Sequence, residues 1–417
     1  MNALLEWGAS GLNALARLAV QPFYYIGLLF VILQYRNQIR LERKLFAMKL
    51  HSVWGAVQRT VGAGIVAGLV ASAAMAFIGT AIPPGAVVWL WVLSAALALA
   101  RVRFLCLSYA AGVLGLLSAL FRAFPGLSES PGLAWAAAPL KDLSVPSLIA
   151  LVGVLHLLEA WFVRRQGASM AMPIFVESKR GKPVGGYLLQ QFWPVPLFLL
   201  APAAGDGGMT LPWTPLFGAA ETGGWMLIPF PVILGYAEST VTQLPAQKAR
   251  LSGARLFGFG LAAMALAVLT ELWSAAVPVA SLLLMALHEI VYRAGVQDER
   301  RRQPIFVHHP QGLTVLGVFP GSPAAEMGLE PGETIRKVNG VSVRTKEQLH
   351  EALQLNPAFC KLEVIDTNGQ NKFAQRAIFA GDHHQLGIIL APDDRVGHVL
   401  ERREWSLSTL FHNRATR

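Results

Sequence analysis

Between residues 18 and 292 the sequence is a succession of apolar runs, each close to the length of a bilayer-crossing helix. Short loops join them and collect most of the charge. A helix rises 1.5 Å per residue, so about 20 apolar residues cross a hydrocarbon layer. Composition agrees. Of 417 residues, 54% are hydrophobic and only 14% charged, with a mean hydropathy of +0.46, outside the range of an ordinary soluble domain. The runs predict a first span at 18–35, four more near 61–82, 84–100, 103–121 and 146–163, and a further four near 186–203, 224–240, 256–273 and 275–292. The expected fold class is therefore an α-helical polytopic membrane domain over residues 1–303, with about seven to nine transmembrane helices. A soluble α+β module over 304–393 and a basic tail over 394–417 follow.

Loop charges give the layout a direction. One side would hold Arg36, Arg40, Arg43, Lys44, Lys49 and Arg59. It would also hold Arg101, Arg103, Arg164, Arg165, Lys179, Arg180, Lys182, Lys248, Arg250, Arg255, Arg293 and Arg300–Arg302. The other side has Arg17, Arg122 and Lys141. Basic loops stay cytoplasmic, so the soluble module is expected in the cytoplasm. The net charge of +10 then reflects topology and anionic lipid, not nucleic acid, because no basic face with aromatic platforms is visible. Residues 36–59, with Leu41, Leu45, Met48 and Val53 among the arginines, read as an interfacial helix. The start of the chain shows no cleavage signature of a removed signal peptide.

Sites for chemistry are scarce. His288-Glu289 begins an HExxH zinc motif, but Tyr292 stands where the second histidine belongs. His156 and Glu159, three apart, can meet on one helix face and read as an interhelical hydrogen-bonding pair. Pro194-Val195-Pro196 and Pro229-Phe230-Pro231 interrupt two apolar runs, with Glu238 farther on. If those runs are helices, the freed carbonyls line a cavity, as in transporters. Gly8-Ala9-Ser10-Gly11 matches the GxSG of intramembrane serine proteases but precedes the first span. Cys106 and Cys360 form no disulfide framework or Cys-x-x-Cys metal site, and His308-His309 and His383-His384 read as loop histidines. No phosphate-cradling loop is present. The expectation is a non-enzymatic protein without cofactor or metal. An inactive intramembrane metalloprotease relative and a transporter with broken helices are the alternatives.

The soluble module is the most legible part. Leu313, Val315, Val318 and Phe319 form a strand-like set. Ser322 caps a short helix with Pro323 at its first position, and Gly328 ends it. In the next strand Ile335, Lys337 and Asn339 would share one face, with Arg336 and Val338 on the other. Asn339-Gly340 is a hairpin turn, and Thr345 caps a helix with Leu349, Ala352 and Leu353 on one side. Strands follow at 360–366 and 373–379 around Asn368-Gly369, and a last one at 385–390.

In order and in turn chemistry this module resembles a bacterial PDZ domain. Such domains bind an extended peptide, usually a chain terminus, by strand addition. The resemblance implies a carboxylate loop and edge strand at Leu386, Gly387, Ile388 and Ile389. Leu349 and Leu353 of the helix would line the groove. A many-span region followed by one PDZ domain is in turn similar to the MinJ family of cell division topological determinants. That similarity implies a scaffold at poles and septum that joins a polar DivIVA-type protein to a MinD-type membrane ATPase carrying MinC. Other division proteins and further copies of the chain are additional candidate partners.

Overall fold

The computed structural model describes residues 2–46, 50–79, 82–203, 208–217, 224–379 and 386–393. The first part comprises α1 (Asn2–Ala19), α2 (Pro22–Phe46), α3 (Val53–Ile78), α4 (Pro84–Ala100), α5 (Leu107–Ala123), the short α6 (Pro125–Ser128) and α7 (Ala134–Lys141), and α8 (Val145–Gln166). A three-stranded antiparallel sheet interrupts the helices: β1 (Met172–Glu177), β2 (Pro183–Pro202) and β3 (Trp225–Thr240), in that spatial order. Then come α9 (Pro245–Leu272) and α10 (Val277–Arg301).

Among the described residues four helices are long and apolar enough to cross a membrane, and a fifth span is formed if α1 and α2, bent by 57°, count as one. α4 and α5 are apolar but shorter, at 17 residues each. Leu29, Ile65, Leu69, Val88, Val92, Leu261, Leu269, Leu283 and other large apolar side chains stand exposed on these helices. A soluble monomer does not carry so much uncovered apolar surface, and a bilayer covers it.

Two expectations for this half are corrected. Residues 186–203 and 224–240 are not helical spans. They are the two strands of one long hairpin, paired from Tyr187↔Thr240 to Pro202↔Trp225. The prolines explain why. Spaced two apart, they cannot sit in a helix, yet in a strand they fall on one edge. The free edge of β2 can be followed residue by residue. The Phe192 amide donates to the Tyr35 hydroxyl (3.4 Å) and the Phe198 amide to Ser72 Oγ (2.8 Å). Pro194 and Pro196, between them, have no amide hydrogen to satisfy. Register places Pro196 opposite Pro231 and Phe198 opposite Pro229, so the β3 prolines also point away from the ladder. No hydrogen bond is lost where water is scarce. α3 covers the β2 edge, and its Gly64 and Gly68 make the approach close enough. A Cβ on Gly64 would lie 2.1 Å from the Pro194 carbonyl oxygen, and one on Gly68 would lie 2.3 Å from that of Pro196. The second correction concerns residues 36–59. No separate interfacial helix forms among the described residues there, because α2 runs on to Phe46 and α3 starts at Val53. The cause is burial of Gln34, Tyr35, Gln38, Ile39 and Glu42 on one α2 face. Glu42 accepts from the Leu50 and His51 amides (2.9 and 3.1 Å) and holds the turn between the helices.

The soluble module comprises β4 (Leu313–Val318), α11 (Pro323–Glu326), β5 (Thr334–Val338), β6 (Val341–Ser342), α12 (Lys346–Gln354), β7 (Phe359–Ile365), β8 (Asn371–Ala377) and β9 (Ile388–Leu390). Its sheet runs β8-β7-β5-β4-β9, with β6 on β5. Ser322 accepts from the Ala325 amide and Thr345 from the Gln348 amide, both at 3.3 Å, as the caps require. One face assignment is corrected: Ile335 and Val338 are both fully buried. A bulge between Ile335 and Lys337 in the β5–β7 pairing shifts the phase, so Val338 turns inward with Ile335.

Candidate functional site

β9 pairs with β4 on one side only, and among the described residues no strand takes its other edge. The Phe319 amide donates to the Gly387 carbonyl (2.9 Å) and the Ala391 amide to the Thr314 carbonyl (2.8 Å). Antiparallel alternation then turns the amides of Ile388 and Leu390 outward. The strand is entered through a tight turn in which Leu386 and Gly387 have φ of 57° and 73°. A Cβ on Gly387 would stand 2.3 Å from Ser322 Cβ, so close packing as well as φ demands glycine.

The six residues implied by the PDZ resemblance divide between two environments. Leu386 and Ile388 share one apolar cluster with Leu349, and Leu353 packs on it half-buried. Ile389 points the other way, into the cluster of the helical part beside Leu316, Phe319 and Phe306. The last strand is thus shared: one face belongs to the module's own core, the other docks the module.

That docking is built at the base of the hairpin. The Gly185 amide donates to the Phe306 carbonyl (2.8 Å), the Ile305 amide donates to the Val241 carbonyl (2.9 Å), and the Tyr187 hydroxyl reaches the Leu316 carbonyl. Glu299, near the end of α10, is buried and accepts from the Val241 and Thr242 amides (2.7 and 3.1 Å). Lys248 lies 4.0 Å from Glu299 and pairs with Glu238 at 2.9 Å. Glu238 therefore anchors the hairpin to α9. Beside this junction lies a cavity of about 740 Å³, lined by Lys179, Arg180, Lys182, Arg301, Glu299 and His308 among others. His309 accepts a local hydrogen bond from the Gln311 amide, while His383, His384 and the tail at 394–417 lie outside the described residues.

Two groups in the module titrate away from their usual values. Burial pushes the Cys360 thiol up to about 11. Amide hydrogen bonds from Gln370 and Asn368 hold Asp366 below the usual carboxylate range.

The histidines of the helical part meet where spacing gave no sign of it. His156 and His288 both turn Nε2 toward Cys106, each 3.2 Å from its sulfur. Glu289 turns away, 2.8 Å from Arg293 and 3.5 Å from Arg103, and Tyr292 lies under the Arg103 guanidinium. The glutamate of the incomplete HExxH therefore does not face the histidine pair. The Pro-x-Pro pairs, being in strands, give no support to broken transport helices. Nothing in the spacing joins Cys106, His156 and His288, because Cys106 precedes α5 while the histidines lie on α8 and α10.

Apolar helices bearing a PDZ domain at their basic end define a membrane-associated protein of the PDZ class, and the PDZ domain family matches residues 314–365. Over 401 residues, 94% of this chain and 97% of the relative, the sequence is 30% identical to the cell division topological determinant MinJ of Bacillus subtilis (strain 168). A probable cell division topological determinant MinJ of Lacticaseibacillus paracasei is 29% identical over 61% of this chain and 68% of its own length. A putative serine protease, HhoB of Synechocystis, is 34% identical over only 16% of each chain. The chain belongs to the MinJ family of cell division topological determinants. The relatives that cover most of it are named as division determinants, not as enzymes.

Proposed function

We propose that this protein is a multi-pass membrane scaffold for division-site selection that holds cytoplasmic partners on its PDZ domain. The observation that carries the reading is the outer edge of β9, which no strand among the described residues takes, beside the Leu386-Gly387 turn. An extended chain end adds to such an edge by backbone hydrogen bonds, and its terminal carboxylate sits at the amides of the turn. Leu349 and Leu353 of α12 then take its side chains. The sidedness follows from charge. Arg101, Arg164, Arg165, Lys248 and Arg300–Arg302 lie at the same ends of their helices as the hairpin base on which the PDZ domain docks. Basic ends face the cytoplasm, where anionic lipid headgroups meet them.

Within this reading the scaffold joins a polar DivIVA-type protein to a MinD-type ATPase carrying MinC and is enriched at poles and septa. Anchoring the domain confines it to two dimensions and raises its effective concentration toward other membrane-bound partners. The test is Leu390→Pro. Leu390 is half-buried and its amide points away from β4, so proline removes the donor an incoming strand uses and leaves the β4 pairing in place. Cells carrying it are expected to misplace septa, with membrane insertion unchanged and capture of the partners from membranes lost. Normal septa together with undiminished capture would refute the proposal.

A further inference from the structure

Three helices converge at a point that division-site scaffolding does not use. Cys106, just before α5, places Sγ 3.2 Å from Nε2 of His156 on α8 and 3.2 Å from Nε2 of His288 on α10. The three atoms all lie within 4.8 Å of one another. The far ring nitrogens settle where the imidazole protons are. Nδ1 of His156 lies 2.8 Å from the Val152 carbonyl, which can only accept, so Nδ1 carries the hydrogen. The Tyr109 hydroxyl donates to Glu289 (3.0 Å), so its oxygen accepts from Nδ1 of His288 at 3.2 Å. Both rings therefore turn a bare Nε2 lone pair to the same sulfur. Metal-ligating histidines are oriented in this way, by a hydrogen bond from the second ring nitrogen to a carbonyl or hydroxyl.

The dimensions suit a small tetrahedral ion. With bonds of about 2.3 Å to sulfur and about 2.0–2.1 Å to nitrogen, a thiolate and an imidazole ligand stand about 3.5 Å apart. A few tenths of an ångström of side-chain movement separates that figure from the 3.2 Å seen here. Glu159, one turn from His156, brings a carboxylate oxygen to 4.0 Å from the same Nε2. The ring of Phe259 packs edge-on against both imidazoles, with centroids at 4.7 and 5.3 Å, and limits their rotation.

We propose that Cys106, His156, His288 and Glu159 hold a zinc-class divalent transition-metal ion that cross-links α5, α8 and α10. Thiolate with imidazole selects borderline-soft cations over magnesium or calcium. Three donors already face one point. Glu159, which lies outside that group, supplies the fourth by turning its carboxylate onto the ion. The closed sphere makes the ion structural, with no open position to activate water. Binding releases the thiol proton, so affinity rises with pH. The competing arrangement is a hydrogen-bonded cluster without an ion. In it the thiol serves one imidazole and the Ser108 hydroxyl, 3.3 Å from Nε2 of His156, serves the other.

Cobalt(II) separates the two. The full-length protein in detergent, stripped with chelator and titrated with Co²⁺, is expected to take up one equivalent. It should show a near-ultraviolet thiolate-to-cobalt band, and zinc should displace the cobalt. Cys106→Ser should abolish the band, and His156→Gln should weaken zinc binding by at least about tenfold. Cys360→Ser should change neither, and tryptophan fluorescence checks that each variant is folded. Absence of the thiolate band in the wild type, or uptake unaltered in both Cys106→Ser and His156→Gln, would leave the hydrogen-bonded cluster and overturn the proposal.

Discussion

Replacing Gly64 or Gly68 by alanine tests the packing of α3 on the hairpin, the contact on which the helical part is built. A Cβ at Gly64 would stand 2.1 Å from the Pro194 carbonyl oxygen and 2.9 Å from its carbon; at Gly68 the distances to Pro196 are 2.3 and 3.0 Å. Ordinary carbon–oxygen contacts begin near 3.3 Å, so α3 must withdraw by about 1 Å. A gap of that size forfeits up to about half of each dispersion contact it opens. Overpacking of this kind costs about 1–3 kcal/mol per site. The two positions are one turn apart and share the same withdrawal, so the double variant should lose less than the sum. Gly62 is the control. It lies on the same helix with nothing within 4 Å of its would-be Cβ, so alanine there is expected to be neutral or mildly stabilising. The assay is thermal unfolding in detergent followed by tryptophan fluorescence; Trp193 of β2, stacked on Phe162 at 4.9 Å, reports on the hairpin. Gly64→Ala and Gly68→Ala as stable as Gly62→Ala would refute the packing argument.

Other outcomes follow from single contacts. Gly387→Ala places a side chain at φ 73° against Ser322 and should destabilise the PDZ domain by about 2 kcal/mol or more, read by chemical denaturation. Glu299→Ala leaves the Val241 and Thr242 amides without their acceptor and should cost about 3 kcal/mol. Faster hydrogen exchange at the hairpin base and at residues 302–312 would report it, and unchanged exchange would count against that anchor. Cys360 is fully buried, and its thiol is held up to about 11 against an ordinary 9.0. The folded state keeps its proton while an unfolded chain loses it near pH 9, so the domain should lose stability as pH rises from about 9 to 11. Alkylation of Cys360 at neutral pH should likewise be slow in native protein and fast in denaturant. A sidedness map therefore needs an introduced cysteine at an exposed place such as Glu351. That residue is expected to react only once the cytoplasmic face is opened.

The PDZ half was legible because its signals are local. Ser322, Gly328, Asn339-Gly340 and Thr345 each dictate one turn or cap, and each does so in the structure. The bulge at Ile335–Lys337 was not legible, since no residue there demands it. The hairpin is not legible in hydropathy, which measures length and polarity but not period. Prolines two apart in both runs were the available signal, as they fit the edge of a strand and not a helix. The Cys106–His156–His288 convergence has no sequence signature, since the three residues come together only when α5, α8 and α10 pack. The turn of Ile389 toward the helical part also depends on docking, which a single sequence does not encode locally.

The most direct measurement places the full-length protein in zwitterionic vesicles, with protein-free vesicles as the blank, and follows co-sedimentation of purified DivIVA-type and MinD-type proteins above that blank, wild type beside Leu390→Pro. Saturable capture by the wild type, lost in the variant while its PDZ domain remains folded, is the expected result. Equal capture by both, or none by either, would contradict a scaffold that works through the outer edge of β9.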